Sequence, residues 1–223
     1  MPILRKRRPR TMSQPKSKSS QLVSAFCDGL TPPPDWTVSE WADKRRHLAA
    51  ESSAEPGRWK TSRTPYLREP MDCVTDEAIE YITLIFGAQT GKSETLFNGI
   101  GYYADLDPCP IMMVQPTVEM SQAVSKDRIA PLFRESPVLA EKVREVSERK
   151  GAAKGSQTVL QKQFPGGHLT MVGANAPAGL ASRPIRVVVA DEVDRYPVSA
   201  GEEGDPILLA VRRTASFPHN KKI

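Results

Sequence analysis

Short apolar runs alternate with stretches of helical periodicity from Asp76 to Ile223. This alternation is typical of an α/β protein in which a parallel sheet is flanked by helices. The predicted strands are residues 81–86, 111–115, 168–172 and 186–190. Helices are predicted after Gly91, after Thr117 and over residues 137 to about 149, while segment 150–167, which contains four glycines, is predicted to be a loop or a hairpin. The pattern therefore predicts an α/β core over residues 76–223.

The chain before residue 76 divides into two segments. Residues 1–34 are rich in Arg, Lys, Ser and Pro, a composition that cannot bury enough apolar surface to order itself. We interpret them as a mobile arm, which either contacts DNA or a partner or is simply a solvated terminus. Residues 35–75 form a lead-in segment, in which Trp59 and Tyr66 lie among cations. These rings could stack on an adenine or touch nucleic acid, or they could close the edge of a hydrophobic core.

The composition of the chain limits the classes of protein to which it can belong. Lys and Arg number 31 against 26 Asp and Glu, a net charge of +5 that suits a polyanionic partner. The three cysteines lie far apart and are odd in number, which argues against a disulfide framework and favours a reducing cytosol. The basic start runs into polar residues, and no apolar stretch is long enough to span a membrane. The sequence therefore predicts a cytoplasmic protein with no membrane segment.

The predicted strand 81–86 is followed by a loop and then by a predicted helix, the order that a phosphate-binding loop requires. The loop and the start of the helix consist of Gly87, Ala88, Gln89, Thr90, Gly91, Lys92 and Ser93. Backbone N–H groups and a helix N-terminus form a cradle for the phosphate oxygens of ATP. Lys92 would reach the β- and γ-phosphates, and the Ser93 hydroxyl would ligate Mg²⁺. The common pattern G-x-x-x-x-G-K-[ST] is incomplete, because Phe86 stands at its first position.

A second candidate element lies much later in the chain, where the apolar strand 186–190 ends in Asp191 and Glu192. Asp191 at the strand tip would hold Mg²⁺, and Glu192 would orient and deprotonate the attacking water. Taken alone, an Asp-Glu pair can simply solvate the end of a core strand. The two elements together, in this order and at this separation, favour an ATPase.

Two further segments fit an ATPase less specifically. Residues 113–117 predict a strand closing in a polar turn, which could contact DNA or a phosphate-coupled loop. Thr214, Ala215 and Ser216 follow Asp191 at a distance that permits one intervening helix. At a strand end, small hydroxyl residues can sense the γ-phosphate and relay its loss. Either segment can also be an ordinary strand end.

With these residues in view, the sequence resembles the terminase large subunits of the lambda-like GpA type, from about Trp36 to the end. The resemblance is carried by residues 36–41, 56–59, 65–67, 87–93, 115–117, 181–184, 191–194 and 214–216. It implies a RecA-like P-loop ATPase that uses ATP and Mg²⁺ to draw double-stranded viral DNA into a procapsid. It also implies a homo-oligomeric ring on the portal protein and a small terminase subunit that recognises the viral genome.

The resemblance also sets expectations beyond Ile223. In such proteins an endonuclease domain of RNase H-like type follows the ATPase, so no nuclease residues are assigned in this chain. At least one more strand is needed after residues 214–216 to complete a RecA-like sheet. We therefore expect the sheet to be incomplete at its C-terminal end.

The phosphate loop departs from many terminases, which carry an arginine where this chain has Ala88. The charge that stabilises the transferred phosphoryl group must then come from elsewhere. Arg183, just before the strand that ends at Asp191, is our candidate, and a neighbouring subunit is the other source. Arg183 can equally be an ordinary loop cation beside Pro184.

Two alternative functions stay open. Residues 191–194 resemble the DExD box of superfamily 2 helicases, although the chain has no room for the second RecA-like domain that a helicase needs. The other alternative is a truncated remnant that binds DNA or terminase partners without turnover.

Overall fold

The computed structural model describes residues 32–148, 158–181 and 183–223, together with Phe26 and Leu30. Asp35–Ile223 forms one compact unit. The predicted basic arm therefore lies almost entirely outside the described residues, as do Ser182 and the first part of the predicted loop 150–167. No described helix is both long and apolar enough to cross a membrane.

The lead-in segment folds into short elements. In chain order these are helix α1 (Val38–Arg45), strands β1 (His47–Leu48) and β2 (Gly57–Arg58), the 3₁₀ turns Thr61–Arg63 and Pro65–Leu67, and helix α2 (Arg68–Asp72). Helix α1 starts in a capping box, in which the Thr37 hydroxyl accepts the Glu40 N–H and the Glu40 carboxylate accepts the Thr37 N–H. β1 and β2 pair as an antiparallel hairpin.

The rest of the chain alternates helices and strands. The elements are α3 (Lys92–Asp105), β3 (Pro110–Gln115), α4 (Val118–Val124), α5 (Ala130–Glu135), α6 (Pro137–Glu148), β4 (Gln161–Phe164), β5 (Gly167–Gly173), α7 (Pro177–Leu180), β6 (Val187–Ala190) and α8 (Pro206–Arg212). A π-helical turn, Ser125–Ile129, joins α4 to α5. The predicted strands at 111–115, 168–172 and 186–190 are confirmed, and β4 makes part of segment 150–167 a hairpin with β5.

A four-stranded sheet runs in the order β4-β5-β3-β6. β3 pairs parallel with both β5 and β6, while β4 pairs antiparallel with β5 at the edge. Every residue of β3 after Pro110 is buried, as expected of a central parallel strand that is covered on both faces. Ile111 and Met113 enter the core that includes α1 and α3, and Met112 and Val114 enter the core that includes α8. The α/β architecture is therefore confirmed.

The lead-in shares a hydrophobic core with the sheet and its helices. Trp41 of α1 is fully buried against α3, and its indole N–H donates to Asp105 Oδ2 at 2.9 Å. The approach is close, because a Cβ added at Gly101 would lie 2.2 Å from the Trp41 ring. Residues 35–75 are thus packed as part of the same unit as the predicted core.

The predicted strand at 81–86 is wrong. The segment contains no regular strand, although the Ile82 N–H donates to Ile223 O at 2.9 Å and the Ile223 N–H donates to Glu80 O at 2.9 Å. The neighbouring Lys222 forms a parallel bridge with Val187 of β6. A strand is stabilised by a ladder of such bonds, and among the described residues this segment pairs in this way only with Ile223.

Candidate active site

The loop at residues 87–91 is a tight turn that ends at the N-terminus of α3. Gln89 and Gly91 have positive φ angles, 61° and 88°, and the Thr90 hydroxyl donates to Gly87 O at 2.8 Å. Gly91 is the N-cap residue of α3, which is 14 residues long. The partial positive charge and free N–H groups of such a helix terminus favour an anion. The loop therefore has the backbone form of a phosphate cradle.

Asp191 is held in place by the sheet. Its N–H donates to Val114 O at 3.1 Å, which extends the pairing of β3 and β6 by one residue. The side chain, only 8% exposed, comes off the carboxyl end of β6. The hydroxyl of Tyr196 donates to the same carbonyl of Val114 at 2.8 Å and packs beside this strand end. The carboxylate is thus fixed by backbone register.

Lys92 and Ser93 meet Asp191 across the site. The Ser93 hydroxyl donates to Asp191 Oδ2 at 3.1 Å, and Lys92 Nζ lies 4.0 Å from Asp191 Oδ1. Lys92 is 32% exposed, so its ammonium group remains accessible from solvent. The structure therefore brings together a cation, a hydroxyl and a carboxylate from residues far apart in the chain.

Glu192 adopts a left-handed backbone conformation, with φ 53°. Such a conformation costs a non-glycine residue about 1–3 kcal/mol and is found most often at functional sites. Its N–H donates to Asp191 Oδ1 at 3.0 Å. Arg195 Nη1 lies 3.1 Å from Glu192 Oε2, yet that oxygen has no aligned hydrogen bond from the described residues. The Glu192 carboxylate is thus beside the site with acceptor capacity to spare.

Gln115 ends β3 at the same edge of the sheet. Its side chain is 1% exposed, and its Nε2 has no hydrogen-bond acceptor within the described chain. An unpaired buried amide is costly. The register places Gln115 one residue beyond Val114, which pairs with Ala190, so Gln115 is level with Asp191. The predicted polar turn at 113–117 therefore lies next to the two carboxylates.

A comparison with protein families identifies the family of this chain. Residues 53–223 match the family of the phage terminase large subunit gpA, ATPase domain. The chain belongs to this family. The resemblance drawn from the motifs is thereby confirmed, and so is the α/β P-loop fold of this terminase ATPase chain.

Two individual proteins are similar to this terminase ATPase chain. The terminase large subunit of Enterobacteria phage P21 is 26% identical over 200 residues, an alignment that covers 88% of this chain and 30% of that protein. The chain thus spans 30% of the length of this curated relative. Among solved structures, the large terminase ATPase domain of Thermus phage P74-26 is similar with a TM-score of 0.39 and 19% identity, covering 62% of this chain and 57% of that one.

The two aromatic residues of the lead-in have different surroundings in this terminase chain. The Tyr66 hydroxyl donates to Thr90 O in the phosphate loop at 3.0 Å, and the Tyr66 ring is 53% exposed. The Trp59 side chain is 7% exposed and its indole N–H donates to the Thr61 hydroxyl at 3.0 Å. Trp59 is therefore a core residue, while Tyr66 borders the candidate nucleotide site, where its contact with adenine stays a prediction.

Arg183, the predicted source of the catalytic cation, lies on the segment that precedes β6, and its catalytic role stays a prediction. Burial lowers the pKa of His168, and the nearby charge of Arg183 lowers it further, which places Arg183 close to His168 near the start of β5. Asp191 follows the carboxyl end of β6, and these strands run in the same direction. The two ends of β5, a strand of seven residues, are about 20 Å apart at 3.3 Å per residue. Arg183 is therefore at the opposite edge of the sheet.

The predicted coupling residues Thr214, Ala215 and Ser216 do not have the expected setting at a strand end, and their coupling role stays a prediction. They lie in the 3₁₀ turn Arg213–Ser216 and not at a strand end, and Thr214 is buried with its hydroxyl donating to Val211 O. Arg213 O accepts the N–H of Ile185, which precedes β6. This turn is thus at the amino edge of the sheet, away from Asp191.

Tyr196 is a residue that sequence reasoning missed. Burial raises the pKa of its hydroxyl, and the neighbouring Asp191 and Glu192 charges raise it as well. The Tyr196 hydroxyl therefore stays protonated at neutral pH and keeps donating its hydrogen bond to Val114 O. A single Tyr four positions after Glu192 has no distinctive spacing, so no pattern in the sequence signals it.

The positive φ of Gly91 leads to a prediction about stability. Gly91→Ala would place a Cβ 3.0 Å from Leu67 Cδ1 in a left-handed conformation. We expect the free energy of unfolding to fall by about 1–2 kcal/mol. Urea denaturation measures this free energy of unfolding. Gly99→Ala is the matched control in the same helix, where the added Cβ meets Val74 at 3.9 Å, and it should be neutral or stabilising. Equal behaviour of the two variants would contradict the assigned loop conformation.

Proposed function

We propose that this terminase ATPase chain binds Mg-ATP at residues 87–93 and hydrolyses it, and that hydrolysis drives viral DNA into a procapsid. The observation that supports the site most directly is the meeting of Lys92 and Ser93 with Asp191, with Ser93 Oγ 3.1 Å from Asp191 Oδ2. The contact brings the end of β6 to the start of α3. This is the arrangement that phosphoryl transfer in P-loop ATPases requires.

Each residue has a separate task in this proposal. The backbone of residues 87–91 and the N-terminus of α3 bind the phosphates, and Lys92 neutralises charge on the β- and γ-phosphates. Tyr66 borders the loop and can cover the base. Glu192 accepts a proton from the water that attacks the γ-phosphorus. The position of Glu192 next to Asp191, to whose Oδ1 its N–H donates, supports that role.

Ser93 and Asp191 fit a magnesium ion by their chemistry. Mg²⁺ prefers oxygen ligands and is usually held by one or two protein groups, with phosphate oxygens and waters completing the octahedron. In the described ranges, no group of three or more His, Cys, Asp or Glu side chains forms a dedicated metal cage. When bound, the ion would neutralise charge that develops on the phosphate oxygens.

The wider function is proposed from the family and the curated relative. The partners are double-stranded viral DNA, a small terminase subunit and a portal protein on a procapsid, and the place of action is the host cytoplasm. The net charge of +5 supports a polyanionic partner. The catalytic arginine is proposed to come from a neighbouring subunit of a homo-oligomer, because Ala88 stands in the loop and Arg183 lies at the opposite edge.

The first test removes the cation at the phosphates. Lys92→Ala should raise the Kd for ATP at least about 100-fold, because two charge-assisted hydrogen bonds are lost. Calorimetric titration measures this Kd. Lys126→Ala, an exposed lysine in the π-helical turn, is the control and should bind like the parent. Unchanged affinity in Lys92→Ala would reject the phosphate-loop assignment.

The second test separates metal binding from proton transfer. Glu192→Gln should keep Mg-ATP affinity while the steady-state rate falls about 10²–10⁴-fold, since an amide cannot accept the proton. Asp191→Asn should instead reduce the gain in ATP affinity that Mg²⁺ provides. Glu202→Gln, at an exposed position, controls for a simple change of charge. If Glu192→Gln and Asp191→Asn both turn over ATP like the parent, the catalytic roles are wrong.

The third test asks whether the arginine comes from another subunit. The specific ATPase rate should rise with protein concentration, because an arginine supplied in trans contributes on the order of 10³–10⁵ in rate. Adding the inactive Glu192→Gln protein should stimulate the parent, since it can still donate its arginine. A specific rate that depends on neither concentration nor added variant would place the cation within the protomer.

A further inference from the structure

Two arginines from different parts of the chain converge on Glu94, in the first turn of α3. Arg46 Nη2 lies 2.8 Å from Glu94 Oε2, and Arg128 Nη2 lies 2.5 Å from Glu94 Oε1. Glu94 follows Ser93 directly and its N–H donates to Gly91 O at 3.0 Å. The carboxylate is 16% exposed. Both of its oxygens are therefore held, one residue from the predicted magnesium ligand.

Arg46 is anchored through its backbone as well as its side chain. Its N–H donates to Ala42 O at the end of α1, and its carbonyl accepts the Trp59 N–H. The guanidinium is 5% exposed, and its Nε and Nη1 have no acceptor among the described residues. Burial lowers the pKa of Arg46, and the Glu94 carboxylate opposes that shift. The lead-in segment thus presents a rigid buried cation to α3.

Arg128 joins the same carboxylate from the other side. It lies in the π-helical turn Ser125–Ile129, a type of turn that is frequent at functional sites. Its Nη1 donates to Ser52 O in the lead-in at 2.9 Å, and its guanidinium lies 5.7 Å from the centre of the Phe97 ring of α3. It is 36% exposed. Arg128 therefore ties the lead-in and the π-helical turn to the phosphate helix.

Stability is a weak explanation for this cluster. A buried ion pair is often no more stabilising than apolar side chains of the same size, because removing the charges from water is costly. The two unpaired N–H groups of Arg46 add to that cost. A charge-assisted contact to each oxygen of one carboxylate provides geometric precision. Here it acts on the turn that carries Lys92 and Ser93.

We propose that Glu94, held by Arg46 and Arg128, is a positioning residue that sets the rotation of the first turn of α3. Lys92, Ser93 and Glu94 are consecutive, so a rotation of that turn moves all three side chains together. A displacement of about 1 Å in catalytic groups can cost about 100-fold in rate. This inference rests on the proposed ATPase function and extends it to residues outside the phosphate loop.

The experiment compares Arg128→Gln and Glu94→Gln with Arg134→Gln. Arg134 is the matched control, because it ties α5 to Glu51 of the lead-in at 2.6 Å and its ion pairs, with Glu51 and Glu135, do not involve α3. Three quantities are measured for each: the Kd for ATP with Mg²⁺, the Kd for ATP with EDTA, and kcat. Thermal unfolding of each protein shows that all are folded at the assay temperature.

In Arg128→Gln and Glu94→Gln, the factor by which Mg²⁺ increases the affinity for ATP should fall about 10-fold. The kcat of these variants should fall about 10–100-fold. The affinity for ATP in the presence of EDTA should change little, because the backbone cradle and the Lys92 charge remain. The double variant should lose no more than the worse single variant, since both remove one contact. Arg128→Lys should restore part of the loss, because its ammonium can still reach Glu94. Arg134→Gln should behave like the parent.

Two results would overturn the inference. One is that Arg128→Gln and Glu94→Gln lower only the unfolding temperature, with the Mg²⁺-dependent affinity and kcat of the parent. The other is that their losses match those of Arg134→Gln. Failure of the proposed function is distinguishable, because the parent would then bind no ATP or Lys92→Ala would bind it as well as the parent.

Discussion

The contact between Ser93 and Asp191 connects the two halves of the candidate site, and its geometry is set by the sheet. Asp191 is placed by the hydrogen bond of its N–H to Val114, one residue beyond the paired part of β6. Ser93 is placed by the start of α3, which packs in the same core as β3. A shift of β6 by one residue would turn Asp191 to the other face of the sheet. The site therefore depends on backbone register more than on any flexible loop.

The lead-in segment contributes to the same geometry from the other side of α3. Trp41 packs against Gly101 in the middle of the helix, Tyr66 contacts the loop at Thr90, and Arg46 holds Glu94 in the first turn. These contacts fix the helix along its length and at its start. The segment before the phosphate loop is thus a structural part of the ATPase unit, which explains why a helix, a hairpin and several turns precede the loop.

The two edges of the parallel sheet divide the candidate residues into two groups. Asp191, Glu192 and Gln115 lie at the carboxyl edge, where ligands bind in open α/β sheets. Arg183 and the turn that contains Thr214 lie at the amino edge. A cation from another subunit is consistent with this division, since the phosphate loop itself carries Ala88.

Sequence alone determined the α/β class, three of the strands and the identity of the residues at the phosphate loop and at the end of β6. These features are local, because apolar runs, glycines and strand-end carboxylates are visible within a few adjacent positions. Only the tertiary structure decided that 81–86 is not a strand, that Arg183 and Thr214 lie at the amino edge of the sheet, and that Tyr196, Arg46 and Arg128 contact the site region. Each of these outcomes depends on which distant segment supplies a hydrogen-bond partner or an opposite charge, and no spacing along the chain encodes that choice.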